Sequence, residues 1–194
     1  MPEPFSESSP LIPDESLARL VQRGDTEAFG TLVERYQDKL LRYGRKFLSD
    51  QEDIQDLVQN TFIRAYQNIR SFDTSQRFSP WMYRIAHNAF VNGLRKNQRS
   101  KISFVNFDTF VPLPVDERTA ATDFEKEEIR VMTNKGLNEI PIKYKEILIL
   151  YYEEEMSYKD IAEVLQVPTG TVGIRLKRAK SALKTVYEKM HLNP

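Results

Sequence analysis

The chain has 194 residues, 40% of them hydrophobic, and its 28 basic side chains balance 28 acidic ones. That length allows one large domain or two small ones. The absence of cysteine excludes disulfides, thiolate metal sites and cysteine catalysis. Two histidines, His87 and His191, are too few for a histidine-rich metal site, and no stretch approaches a membrane span. A small protein that grips duplex DNA unaided is usually basic, because phosphate neutralisation supplies most of the non-specific affinity. Here the charge is neutral but segregated. Arg95 to Lys101 and Arg175 to Lys184 are basic, whereas Asp50 to Asp56, Asp116 to Glu128 and Glu153 to Glu155 are acidic. Local basic surfaces on a neutral chain suit a protein carried to DNA by something larger.

Residues 1–13 mix Pro2, Pro4, Pro10 and Pro13 with serines and read as a disordered tail. Glu3 and Glu7 stand where a signal peptide needs basic residues, so a cytoplasmic protein is expected. From Asp14 the pattern is helical: Leu17, Leu20 and Val21 share a face, and Gly24 supplies a left-handed stop. Asp25 caps a second helix carrying Phe29, Leu32, Val33, Tyr36 and Leu40. A third runs from about Asp50 to Arg70, with Ile54, Leu57, Val58, Phe62, Ala65 and Ile69 inward. After the polar loop Ser71 to Ser79, Ser79 caps a fourth helix with Pro80 at its first position. These four helices form one all-α unit of residues 14–100.

Residues 101–123 lose the periodicity. Pro112 and Pro114 exclude a helix, and the segment reads as an extended linker. Its Phe104, Val105, Phe107, Phe110 and Val111 form a short hairpin or dock on a partner. Helices resume over 124–190: one to about Glu139, one from Ile142 to Glu153, then two more. Ser157 and Asp160 make a capping box, Tyr158, Ile161, Ala162 and Leu165 form an apolar face, and Pro168 stops that helix. The last helix puts Val172, Leu176, Ala179 and Leu183 inside, and Ile174, Lys177, Arg178 and Ser181 outside. Two short helices, a tight turn and a basic outer face make a helix-turn-helix, whose second helix would enter a major groove. A helical hairpin with a solvated basic face is the plainer alternative.

Two further constellations carry chemistry. Residues 71–101 interleave Phe72, Phe78, Trp81, Tyr83 and Phe90 with Arg77, Arg84, Arg95, Lys96, Arg99 and Lys101, as single-strand binding requires. Trp81 and Phe90 read better as core, while Arg84, His87 and Asn88 fall on a more polar side. Asp53 and Asp56, three apart, share a helix surface. As metal ligands they would lack the Glu-x-x-His partner of carboxylate helices, so a solvated acidic face suits Asp53, and no cofactor or catalysis is expected.

Taken together, these stretches resemble the extracytoplasmic-function sigma factors of bacterial RNA polymerase, over roughly Asp14 to Val186. Asp56-Leu57-Val58-Gln59 with Thr61-Phe62 and Ala65-Tyr66 looks like the polymerase-binding helix. Trp81-Met82-Tyr83-Arg84-Ile85-Ala86 with Asn88 looks like the promoter-melting segment. Asp160-Ile161-Ala162, Val167-Pro168, Gly170-Thr171-Val172, Arg175-Leu176 and Arg178-Ala179 look like the C-terminal DNA-reading domain. The resemblance implies that Asp56, Gln59 and Phe62 dock on the clamp helices of the largest subunit of core RNA polymerase. It implies −10 promoter contacts from Phe72, Arg77, Tyr83, Arg84, His87, Asn88, Arg95 and Lys96, with a flipped base held by the Ser71 to Ser79 loop. It implies −35 contacts from Thr169, Thr171, Ile174, Arg175, Lys177 and Arg178. A linker threading the RNA-exit region, promoter DNA both duplex and melted, and a dedicated anti-sigma factor belong to the same expectation. Asn60, Asn92, Gly173 and Ile174 depart from the family's usual residues; Ile174 offers a methyl surface suited to thymine. The rival reading is a self-sufficient helix-turn-helix regulator.

Overall fold

The computed structural model describes residues 12–100 and 136–192, with side chains described for 12–96 and 136–190. Most of the tail, the linker with its aromatic residues and the first part of the helix expected from Phe124 lie outside the described residues. What is described is helical throughout, with no strand. α1 is Asp14–Gln22, α2 Thr26–Gly44, α3 Gln51–Asn68, α4 Phe78–Ser100, α5 Ile142–Tyr152, α6 Tyr158–Leu165 and α7 Thr169–Leu192. A 3-10 turn, Ile69–Ser71, extends α3.

Local chemistry sets the boundaries. Gly24 adopts φ +102°, which ends α1, and the Asp25 carboxylate then accepts from the N–H groups of Glu27 and Ala28 to open α2. Asp50 does the same for α3, accepting from Glu52 and Asp53. α4 starts one residue before the expected Ser79 cap. The Phe78 N–H donates to Glu15 Oε1 of α1 at 2.8 Å, so a distant carboxylate does the capping and Pro80 falls inside the first turn, where its missing N–H still costs nothing. α6 carries the expected capping box: Asp160 N–H donates to Ser157 Oγ at 3.2 Å, and Ser157 N–H donates to Asp160 Oδ2 at 3.1 Å. Its stop, however, comes before Pro168, at Gln166 with φ 53°.

Two buried faces differ from the sequence reading. Leu20 is exposed, leaving Leu17, Ala18 and Val21 as the buried stripe of α1. On α6 the buried set is Ile161, Val164 and Leu165, and Tyr158 is exposed beside Gly173 of α7.

In the first unit α1 to α4 close around Leu32, Tyr36, Leu40, Tyr43, Ile54, Phe78 and Phe90, each worth about 1.5–3 kcal/mol of apolar burial. α2 and α4 approach so closely at Gly44 that an added Cβ would lie 2.7 Å from the Phe90 ring and 3.0 Å from Ile54. The second unit is built on α5, whose six residues Lys145 to Leu150 are all buried. A helix is buried all round only if it is covered on every side. α7 covers one side, and the first unit covers another: α4 packs along α6, while Glu146 of α5 reaches Tyr43 and His87.

Candidate nucleic-acid interface and docking groove

On the outer side of α2 and α3 lies a groove of about 530 Å³, lined by Phe29, Val33, Val58, Phe62, Ile63 and Tyr66 among others. Phe29 and Tyr66 meet edge to face at 4.9 Å, forming one wall. Asp56 and Gln59 are exposed one turn apart, with Gln59 on the rim, and Phe62, 8% exposed, contributes the floor. Ile63 and Tyr66 are 47% and 45% exposed. Apolar side chains this open, rimmed by polar ones, make a surface suited to a protein partner.

The loop leading into α4 is braced by α1. Gln22 Nε2 donates to the Ile69 and Phe72 carbonyls at 2.8 and 2.7 Å, and Arg19 donates to Thr74 at 3.2 Å. Within the loop the Asp73 carboxylate accepts the Ser75 N–H at 2.9 Å, a bond that holds its pKa below the ordinary value. Beside it Arg64, Asn68, Ser71, Trp81, Arg84 and Asn88 line a polar cleft of about 290 Å³. Of the expected −10 residues, Arg77, Asn88, Arg95 and Lys96 are exposed, and Arg84 and His87 are partly so.

Phe72 and Tyr83 are corrections. Phe72 is 5% exposed and packs at 5.4 Å on Phe78 and 5.1 Å on Trp81; Tyr83 is 0% exposed and packs at 5.1 Å on Tyr43. Their rings are core, and neither can stack on a base in this arrangement. Trp81 and Phe90 are core as expected.

In the second unit α6 and α7 meet through Gln166 and Val167 as a helix-turn-helix. Val172, Leu176 and Ala179 bury the inner side of α7. Thr169, Ile174, Lys177 and Arg178 are exposed, Ile174 by 57%, while Thr171 and Arg175 are half-buried. The side that would face a groove is thus apolar at one point and basic around it.

Between the units lies a polar seam. Tyr43 Oη donates to Glu146 Oε1 at 2.5 Å, and His87 Nδ1 lies 2.5 Å from the same oxygen. Burial, then the Glu146 carboxylate, pushes the Tyr43 hydroxyl well above its ordinary pKa. Tyr83, raised likewise by burial, faces Glu154 without a hydrogen bond of good geometry. Burial brings Lys145 down to about 8 and Glu153 up to about 7, and lowers Lys46. These are groups that lost water and were only partly compensated.

The family description Sigma-70 region 2 matches residues 32–100, and Sigma-70, region 4 matches residues 134–183. The chain is 32% identical over 170 residues to the ECF RNA polymerase sigma factor SigW of Bacillus subtilis, covering 84% of this chain and 91% of that protein. The chain belongs to the extracytoplasmic-function sigma factors. It is also 35% identical over 178 residues to the RNA polymerase sigma-H factor of Pseudomonas aeruginosa, across 88% of this chain and 91% of that one. Among solved structures it resembles CnrH in complex with the cytosolic domain of CnrY, with a TM-score of 0.65 and 26% identity over 91% of this chain and 97% of that chain.

As a sigma factor it directs core RNA polymerase to promoters and initiates transcription. Among its described residues no helix is long and apolar enough to cross a membrane. For this sigma factor the sequence reading missed Ile63 as a wall of the docking groove, although its place one residue after Phe62 on an amphipathic helix was visible. It also missed the polar seam between the units, whose one sequence signal was the acidic run Glu153 to Glu155 opposite a basic first unit.

Proposed function

We propose that residues 14–100 form the unit that docks on the clamp helices of the largest polymerase subunit and holds the melted −10 element, and that residues 124–190 read the −35 element. Asp56, Gln59 and Phe62, joined by Ile63 and Tyr66, make the docking surface. The observation that carries this reading is the α2–α3 groove. It has open apolar walls and a polar rim of Gln37, Gln55, Gln59 and Gln67, with the exposed Asp56 on the same helix as three of them, a surface suited to a large protein partner. Arg84, Asn88 and the polar cleft beside the braced loop take a base out of the duplex, with Arg77, His87, Arg95 and Lys96 following the backbone. Phe72 and Tyr83 support this surface from beneath. Thr169, Thr171, Ile174, Arg175, Lys177 and Arg178 meet the −35 major groove, with Ile174 against a thymine methyl.

The chain has no catalysis of its own, acts in the cytoplasm, and is held inactive by an anti-sigma factor; the solved relative CnrH is in complex with the cytosolic domain of CnrY. The test is a pull-down from native cells with the full chain as bait. Recovery of polymerase subunits, with an inhibitor among the remaining partners, is the expected result. Specific, tight binding of the lone chain to promoter duplex without polymerase would instead make it an independent regulator.

A further inference from the structure

Three of the proposed −10 residues already have partners. Arg77 Nη1 lies 2.7 Å from Asp160 Oδ2, Arg84 Nη1 3.4 Å from Glu163 Oε1, and His87 Nδ1 2.5 Å from Glu146 Oε1. All three carboxylates belong to the second unit. A carboxylate paired with arginine or histidine offers the same kind of anionic oxygen as a DNA phosphate. The other two working surfaces remain clear. Ile174 on the recognition helix is 57% exposed, and Ile63 and Tyr66 keep the docking groove open. The carboxylates of the second unit therefore engage the −10 face alone, at three of its side chains, while Asn88, Arg95 and Lys96 stay exposed.

We propose that the free molecule rests in a self-latched state, in which Glu146, Asp160 and Glu163 stand in for the DNA backbone against His87, Arg77 and Arg84. His87, Arg77 and Arg84 are freed for DNA only when the second unit moves away. This inference rests on the −10 assignment made above.

The seam is built to release. Contacts between units of one chain behave like transient interfaces. Here they bury Lys145 and Glu146 at 5% and 6% exposure. The Tyr83 hydroxyl and Glu153 Oε1 have no hydrogen-bond partner among the described residues, and both regain water when the units part. The two arginine pairs are solvated and screened by salt. Glu146 is the anchor, since one oxygen serves two side chains of the first unit. Because the docking groove is open in the latched state, a large partner can engage first and open the latch afterwards.

The absence of cysteine makes the test direct. The full chain with Glu34→Cys and Ser181→Cys, both exposed positions in different units, takes a pair of spin labels whose separation is read by pulsed EPR. A single narrow distance is expected, broadening and lengthening when Glu146→Ala and Glu163→Lys are added. The same latch change should tighten binding of a fluorescent mixed-sequence single strand of about 12 nucleotides. The gain should be about tenfold, as for release of a closed population near nine-tenths. Glu163→Lys alone, which alters only a half-exposed side chain, repeats the test with a smaller gain if the double variant loses helicity. A broad distance in the unmodified chain, or equal affinity in latched and unlatched forms, overturns the inference. A narrow distance with no single-strand binding in either form overturns it through the −10 assignment. Polymerase recovery in the pull-down reads the proposed function separately.

Discussion

Glu153, just past α5, faces Lys46 and Arg42 of the first unit, and its titration can be predicted in sign and size. Burial raises its pKa from 4.5 to about 7, opposed by Lys46 and reinforced by Glu154. Lys46 is itself lowered by burial despite Glu153. For both partners, the lost hydration outweighs the attraction. A raised folded-state pKa means the native form favours protonated Glu153. That contribution is complete below about 4.5 and is lost as pH rises through about 7. The full difference corresponds to about 3 kcal/mol. Glu153→Gln is neutral at every pH and fills nearly the same volume. Its stability should therefore match the parent below about pH 4.5, exceed it increasingly as pH rises from there to about 7, and stay ahead by about 3 kcal/mol above neutrality. Urea unfolding of both proteins across that range measures the difference. A difference that stays flat with pH, or shrinks as pH rises, would refute the reasoning.

Other substitutions probe separate parts of the account. Asp56→Lys should weaken association with core polymerase by about tenfold or more, with unchanged circular dichroism because the side chain is exposed; retention of normal co-purification would remove Asp56 from the docking surface. Ser157→Ala breaks the capping box and should cost about 1 kcal/mol in denaturant unfolding, lowering promoter binding only through stability. Gly44→Ala should cost about 1–3 kcal/mol, since the new methyl meets the Phe90 ring and Ile54 inside a packed core; a neutral melting temperature would show that α2 and α4 separate more freely than their packing implies.

How much was legible depended on how local the cause was. Asp25, Asp50 and the Ser157–Asp160 box announce their helices because a cap needs only residues two or three positions away. The start of α4 was displaced by Glu15, 63 residues from Phe78, which no local pattern contains. On α6 Val164 is buried and Tyr158 is not, because α4 and α7 both pack against that helix and their placement lies outside any local pattern. Among the candidate site residues, Asp56, Gln59, Asn88, Ile174 and Lys177 lie exposed on helix surfaces, as the helical periodicity implied. Phe72 and Tyr83 are buried instead, because an aromatic next to an arginine reads the same in sequence whether it stacks on a base or fills a core. The seam was illegible for a similar reason. Glu146 meets Tyr43 and His87 across 103 and 59 residues, and its surroundings in the sequence are simply those of an apolar helix.

The central claim is that the chain confers promoter choice on an enzyme lacking it. It is tested most directly by transcription in vitro, with purified core polymerase and fragments of the native genome, with and without the full chain. The account predicts discrete start sites that appear only with both components and vanish with Asp56→Lys. Start sites unchanged by adding the chain, or produced equally by the Asp56→Lys variant, would contradict it.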